Sequence, residues 1–208
     1  MANQGFLRQG NKFSSAGCFG GQSLCIIVLI LAVTISGCST DTTFRVLDAE
    51  TKKPVEGAVA LATWTKYKGL PGLSYGYTAK AIEAVSDKDG YFIIPGVTGT
   101  IAFNTPYLQV YKPGYVGWNS RRIYLGYFKD NRKNKRTKKR DAFLMKNQDI
   151  YLEPWKNNGV YNHYTHNSFV APSTGFEEGG VTNSKYRKAI RYEVMKKRIE
   201  RSLHKKRR

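Results

Sequence analysis

The chain has 208 residues, of which 34 are Lys or Arg and 15 are Asp or Glu, so its formal net charge is +19 at pH 7. Its three cysteines, Cys18, Cys25 and Cys38, all precede residue 39, which excludes disulfides, thiolate zinc sites and cysteine nucleophiles from everything that follows. The roughly 170 residues after residue 37 suffice for one modest domain with additional segments.

An apolar run occupies residues 24–35, and the short sequence Ile-Ser-Gly-Cys follows it and ends at Cys38. The run is too short to span a bilayer, which takes roughly 20 apolar residues, but it fits the apolar core of a secretory signal. Ile-Ser-Gly-Cys resembles the lipobox of bacterial lipoproteins. That resemblance implies removal of residues 1–37 and lipidation of Cys38 with diacylglycerol and often a further acyl chain. Because Ser39 rather than Asp follows the cysteine, it also implies an outer-membrane location facing the periplasm.

The segment after residue 41 reads as a series of short strands. Turn signals such as Asp89-Gly90 and Pro95-Gly96 separate runs of alternating or continuous apolar residues. The predicted strands are residues 44–48, 58–64, 80–85, 91–94, 107–111, 123–128 and 149–152. About seven short strands with regular turns predict an all-β fold, namely a β-sandwich with Greek-key connections.

Three spaced motifs in this segment carry a family resemblance: FRVLDAETKKPVEGAVA (44–60), AVSDKDGYFIIPG (84–96) and LQVYKPGY (108–115). In this order they resemble the carboxypeptidase regulatory-like domain, a transthyretin-like β-sandwich. The matching residues are Asp48, Thr51, Pro54, Val55, Gly57, Ala58, Val59, Ser86, Asp87, Asp89, Gly90, Phe92, Gly114 and Tyr115. The resemblance covers residues 42–116 and implies that residues 149–152 form the closing strand of the sandwich. Domains of this family serve as spacers, accessory modules or binding platforms, so the resemblance leaves these roles open.

The matched residues have chemistry suited to structure rather than to catalysis. Glycine permits turns where a Cβ would clash, and Asp87 and Asp89 are expected to accept hydrogen bonds from backbone N–H groups in their turn. A calcium loop beginning at Asp87 is the alternative. It would need a Glu at the twelfth loop position, where the chain has Thr98.

No enzyme signature appears, and the sequence predicts a protein without catalytic residues, metal or cofactor. His163 and His166 form an H-x-x-H pair, for which a shared metal is conceivable. The surrounding residues are rich in Asn, Gly, Ser and Thr, so we interpret the two histidines as solvated residues of an irregular segment. The hydrolase signature of the transthyretin-like family is absent.

Two segments hold most of the excess positive charge, residues 121–140 and 185–208. The first lies between predicted strands and is expected to be a long exposed hairpin or crossover loop. The second is rich in helix formers, with apolar residues on two nearly opposite sides, so the sequence alone does not establish a membrane-surface helix. The predicted polyanion contacts are Arg132, Lys133, Lys135, Arg136, Lys138, Lys139, Arg140, Lys196, Lys197, Arg198, Lys205 and Lys206.

The predicted organisation is a signal peptide (1–37), a β-sandwich (38–154) with a basic insertion (121–140), a polar irregular linker (155–184) and a basic helical tail (185–208). The favoured function is a non-enzymatic envelope lipoprotein. It is held to the membrane by its lipid, and its basic segments contact anionic lipid or lipopolysaccharide; no nucleic acid is expected. A carbohydrate- or peptide-binding module is the first alternative, with Trp64, Tyr75, Tyr77 or Trp118 as contact residues. A nucleic-acid binder, if the lipobox is not used, is the second.

Overall fold

The computed structural model describes residues 40–206 except 71, 103, 127–135, 142, 144, 158, 173–175 and 178–183; of residues 176, 177, 204 and 206 it describes the backbone. Cys38 and the predicted signal therefore lie outside the described residues. The strands are β1 (Thr42–Asp48), β2 (Val59–Lys68), β3 (Tyr75–Val85), β4 (Tyr91–Ile94), β5 (Tyr107–Tyr111), β6 (Trp118–Asn119), β7 (Arg122–Tyr124), β8 (Thr137–Lys139), β9 (Gln148–Leu152) and β10 (Phe176–Glu177). The helices are α1 (His163–Val170) and α2 (Ser184–Lys206).

Two sheets face each other across the main core. The smaller has the order β4-β1-β9, in which β1 runs antiparallel to β4 and parallel to β9. The larger has the order β10-β3-β2-β5-β6, and β7 and β8 form a separate antiparallel pair. The β-sandwich prediction is confirmed, and each of the seven predicted strands overlaps an observed one.

The first six residues of β2, 59–64, are buried on both faces of the strand, which explains why this part is mostly apolar rather than alternating. Ala60, Ala62 and Trp64 belong to the core between the sheets. Val59 and Leu61, on the opposite face, belong to a second core with residues of α1 and α2. The helices therefore form a third layer over the larger sheet.

The three motif segments converge at the end of β1. One Asp48 carboxylate oxygen accepts backbone N–H groups of Glu50 and Thr51, each at 2.8 Å, and the other accepts the Tyr115 hydroxyl at 3.1 Å. The hydrogen bond from Thr51 is the largest influence on this carboxyl, and together these bonds lower the pKa of Asp48. Gly90 lies beside the same strand with φ +80°, and an added Cβ would come within 2.4 Å of the Val46 carbonyl oxygen.

The Asp87 turn behaves as predicted. One oxygen of its carboxylate accepts the backbone N–H groups of Asp89 at 2.9 Å and of Tyr91 at 2.8 Å. This carboxylate therefore stabilises the turn that leads from β3 in the larger sheet to β4 in the smaller one. The Asp87 side chain thus performs the structural role expected of it.

In the C-terminal third, the prediction of an irregular linker is wrong, and the prediction of a helical tail is incomplete. Residues 155–184 are not an irregular linker throughout, because they contain α1 and β10. Residues 185–208 do form a helix where described, but α2 packs on the larger sheet and on α1, with Tyr186 only 1% exposed. Glu83 of β3 caps the start of α2, accepting the backbone N–H groups of Lys185 at 3.1 Å and Tyr186 at 2.7 Å.

Candidate functional site

Helix α1 brings the two histidines into the protein interior. Asn162 caps the helix, its side-chain oxygen accepting the Thr165 backbone N–H at 3.1 Å. His163, His166 and Val170 recur at the spacing of one helix face, and that face packs inwards. His166 is fully buried and His163 is 8% exposed. The interpretation of both as solvated loop residues is therefore wrong.

The two histidines meet Glu193 of α2, which is 1% exposed. One carboxylate oxygen, Oε1, accepts the Tyr111 hydroxyl at 2.8 Å. The other, Oε2, lies 2.7 Å from His163 Nδ1 and 3.1 Å from His166 Nδ1, although the latter contact is off the line of a well-directed hydrogen bond. On its far side, His166 Nε2 accepts the Gly117 backbone N–H at 2.9 Å. We call these five residues the buried network.

Hydrogen bonding assigns the protons of this network. Because Gly117 donates to Nε2 of His166, that nitrogen carries no proton, and a neutral ring then holds its proton on Nδ1, facing Glu193. Aromatic rings fix both imidazoles: Trp155 stacks on His163 with centroids 4.0 Å apart, and the Tyr124 ring centroid lies 5.0 Å from that of His166.

His163, His166 and Glu193 have ligand atoms within 4.8 Å of one another and are the described residues that could hold a metal ion. Their geometry fits such an ion poorly. Metal binding at Nδ1 of His166 would displace its proton to Nε2, where the Gly117 N–H already donates. Two ligands of a tetrahedral zinc lie roughly 3.3 Å apart, whereas His163 Nδ1 and Glu193 Oε2 are 2.7 Å apart. The arrangement suits a hydrogen-bond network that fastens α2 to α1 and β5.

The network keeps the Glu193 carboxyl ionised despite its burial. Burial is the largest single influence and would raise the pKa. The hydrogen bonds from His163 and Tyr111 and the nearby Nδ1 of His166 together outweigh it and lower the pKa from 4.5 to about 2. Burial, and then the negative charge of Glu193, raises the pKa of Tyr111 well above its usual value, so this hydroxyl stays a donor. The buried network thus consists of complementary donors and acceptors.

A second cluster lies on the β7–β8 pair, where the predicted basic insertion begins and ends. We call it the basic hairpin; its members are Arg121, Arg122, Arg136, Lys138, Lys139 and Arg140. All are exposed except the half-buried Arg140. Within the described part of the chain, no ion pair joins any of them to a carboxylate. The two described ends of the predicted insertion therefore pair as β7 and β8, with Asp141 as the carboxylate whose charge acts on Arg140.

Two adjoining clefts border the basic hairpin. One, of about 530 Å³, is lined by Arg121, Arg122, Lys139 and Arg140, with Asp141 as an acidic residue at its wall. The other, of about 590 Å³, shares Arg121 and Arg122 and extends towards α1. The clefts give the positive charge a concave setting in which an anion can contact several side chains at once.

Aromatic rings hold two of these arginines in place. The Arg140 guanidinium lies 4.6 Å from the centroid of Trp118, and its Nε donates to the Asn119 carbonyl at 2.8 Å. The Arg121 guanidinium lies 5.0 Å from the centroid of Tyr107. These contacts restrict both side chains before a ligand arrives, Arg140 more than the exposed Arg121, and so lower the entropic cost of binding.

The structure brings together only part of the predicted contact set. Arg136, Lys138, Lys139 and Arg140 lie on the basic hairpin. The sequence analysis did not select Arg121 and Arg122, although they lie at the first residues of the insertion. Lys196, Lys197, Arg198 and Lys205 lie on α2, where Lys197 is half-buried with its amine 4.7 Å from the ring centroid of Tyr164. Arg132, Lys133, Lys135 and the side chain of Lys206 lie outside the described residues.

The aromatic contact face of the alternative hypothesis is not assembled as predicted. Trp64 is 3% exposed and belongs to the main core. Trp118 is half-buried, packed edge-on against Phe143 and covered by Arg140. Tyr75 is exposed, whereas Tyr77 is half-buried with the Lys68 amine 4.9 Å from its ring centroid. The interpretation of Trp64 as a ligand contact is wrong, because its position in β2 faces the opposite sheet.

No protein-family model matches the chain, and no curated protein matches it. Among solved structures, it is similar to the shaft pilin SpaA from Lactobacillus rhamnosus GG, with 19% identity over 57% of this chain and 47% of the pilin, at a TM-score of 0.29. A 9R-lipoxygenase from Cyanothece PCC8801 has 19% identity over 58% of this chain and 18% of the enzyme, at a TM-score of 0.26. The chain spans about half the length of the pilin, and similarity this low does not bear on function. Within the described residues, no helix combines the length and apolarity needed to cross a membrane.

Proposed function

We propose that the protein is a non-enzymatic lipoprotein of the bacterial cell envelope whose β-sandwich binds phosphate-bearing polyanions at the basic hairpin. The observation that carries the binding proposal is the pair of clefts lined by several basic side chains, two of which lie against aromatic rings. Guanidinium groups form paired hydrogen bonds with phosphate oxygens, so arginine-lined clefts suit such ligands. Lipopolysaccharide and anionic phospholipid headgroups supply this chemistry in an envelope.

The envelope location rests on the lipobox resemblance at Cys38. Intact-mass spectrometry of the protein expressed in a bacterial host tests it, with Cys38→Ala as the comparison. We expect the wild type in the membrane fraction, beginning at Cys38 and carrying the added diacylglycerol mass. An unprocessed wild-type protein that fractionates like the variant, or that is recovered from the cytosol with bound RNA or DNA, would contradict the envelope assignment.

The binding proposal is tested with inorganic polyphosphate as the probe. The double variant Arg122→Gln/Lys139→Gln removes two exposed charges from the clefts, whereas Lys53→Gln/Lys88→Gln removes two exposed charges elsewhere. If each cleft contact contributes about 1.5 kcal/mol, the first variant should bind about a hundredfold more weakly, because 1.4 kcal/mol is a factor of ten. An equal loss in both variants would mean that net charge, and not the clefts, governs binding.

A further inference from the structure

The outward face of α2 carries an apolar stripe that nothing in the described structure covers. Met195, Ile199 and Leu203 are spaced four residues apart and are 50%, 47% and 52% exposed. Residues at this spacing form one continuous row on a helix. The stripe is not the packing face of the helix, because Tyr186 and Glu193, which contact the rest of the protein, point the opposite way.

Basic residues flank the stripe on the same side of the helix. Lys188 and Arg191 precede Met195 by seven and four residues, and Arg198 follows it by three; all three are exposed. These offsets place them along the apolar row, one or two turns from its members. The outward face therefore alternates large apolar and cationic side chains.

Negative charge is confined to the inward side of α2. Between residues 184 and 206 the only acidic residues are Glu193 and Glu200. Glu193 is fixed in the buried network, and Glu200 faces α1, its Oε1 accepting the His163 backbone N–H at 3.2 Å. The two apolar sides seen in the sequence thus have different roles: one completes the core, and the other is an exposed cationic surface.

We infer that the outward face of α2 docks on an anionic lipid bilayer, with Met195, Ile199 and Leu203 inserted among the acyl chains and the flanking cations against the headgroups. This inference deepens the proposed function, on which it rests for the presence of a membrane near the domain. An interfacial helix needs an apolar row to insert and basic residues beside it to attract anionic lipid. A protein partner of ordinary composition would not require a face free of carboxylates, whereas an anionic membrane surface favours one.

The test attaches one environment-sensitive fluorophore to a single introduced cysteine of the full chain, from which the three natural cysteines have been removed. The background substitutions are Cys18→Ser, Cys25→Ser and Cys38→Ala. Ile199→Cys labels the stripe, and Leu73→Cys labels a site that is 80% exposed in a loop of the sandwich. Both side chains are exposed, so neither substitution disturbs the core. Vesicles of phosphatidylcholine are compared with vesicles that also contain phosphatidylglycerol.

We expect a several-fold rise in fluorescence and a blue shift at position 199 with the anionic vesicles, a much weaker response with the neutral ones, and none at position 73. The triple variant Lys188→Gln/Arg191→Gln/Arg198→Gln should remove most of the response at 199. An unchanged signal at 199 with anionic vesicles would overturn the inference, as would a response in buffer alone that grows with protein concentration, since that indicates self-association.

The vesicle experiment can fail or succeed independently of the proposed function, and its results distinguish the two. Lipidation of Cys38 in the wild type together with a silent label at 199 would leave the envelope assignment intact and refute docking by α2. A response at 199 in the labelled variant, together with a wild type whose Cys38 is never modified, would support docking and refute the lipid anchor. Loss of vesicle response on Arg122→Gln/Lys139→Gln, but not on the α2 variant, would assign membrane contact to the basic hairpin instead.

Discussion

Replacement of Glu193 by Gln is the most informative single change, because it keeps the shape of the side chain and removes its charge. The carboxylate accepts the Tyr111 hydroxyl at 2.8 Å and His163 Nδ1 at 2.7 Å, with His166 Nδ1 at 3.1 Å. An amide has one acceptor oxygen and one NH₂ donor, so one side of the group would point a donor at a donor.

The expected cost follows from these contacts. A hydrogen bond to a charged group contributes about 1.5–3 kcal/mol, and leaving one partner of a buried ionic contact unmatched costs about 3–5 kcal/mol. We therefore expect Glu193→Gln to lower the free energy of unfolding by about 3 kcal/mol. Urea denaturation followed by far-UV circular dichroism measures this difference. Glu56→Gln, which removes the charge of an exposed carboxylate outside the network, is the control, for which a change within about 0.5 kcal/mol is expected.

The same contacts of Glu193 determine how the stability of the fold depends on pH. The pKa of Glu193 in the folded protein lies below its ordinary value of 4.5, at about 2. Its ionised form therefore stabilises the fold fully above pH 4.5, and this contribution is lost as the pH falls towards 2. The Glu193→Gln variant should lack this part of the acid dependence. A variant within about 0.5 kcal/mol of wild type, with an unchanged acid profile, would refute the assignment of the network.

Three further changes test the sandwich. Asp48→Asn should lower the free energy of unfolding by about 1 kcal/mol, because it weakens the contact with Tyr115. The pKa of Asp48 is lowered from 3.8 in the folded protein, so this loss should become smaller as the pH falls below 3.8; denaturation at pH 7 and at pH 3 measures it. Gly90→Ala should lower the free energy of unfolding by about 2 kcal/mol or more, because the position has positive φ and the added Cβ meets the Val46 carbonyl. Thermal unfolding measures this, and an unchanged melting temperature would mean that the turn relaxes to accommodate the methyl group. Trp64→Ala should cost about 3–5 kcal/mol in unfolding free energy, and a variant as stable as wild type would mean that the ring is not in the core.

Turn residues in the sequence were sufficient to predict the bounds of a strand where they lie next to its ends. Strands β4 and β5 match their predicted bounds, 91–94 and 107–111, because Asp89-Gly90 and Pro95-Gly96 fix both ends of the first and Pro106 immediately precedes the second. Strand β3 extends five residues earlier than predicted, to Tyr75. Its first half contains Gly76 and polar residues, and pairing with β2 sustains it despite weak propensity.

The buried network could not be found from local composition. Asn, Gly, Ser and Thr surround His163 and His166 and favour a loop on average. The signal that would have identified a helix is the spacing of His163, His166 and Val170 after the cap residue Asn162. The third member, Glu193, lies 27 residues beyond His166, and the tertiary fold alone brings the two helices together. The same is true of Glu83, which caps α2 from near the end of β3, about 100 residues earlier in the chain.

Strand β2 packs in one core through one face and in a second core through the other, and this determines where the chain can be cut into a separate domain. The β-sandwich predicted from the sequence ends at residue 154, which would be the obvious point at which to cut the chain in order to transplant the domain. A chain cut there would leave Val59, Leu61 and Tyr111 open to water on the face that α1 and α2 cover. Contiguous apolar surface of this kind promotes aggregation. The two helices are therefore part of the smallest autonomous folding unit, and a fusion or a swap with a related sandwich has to carry them along.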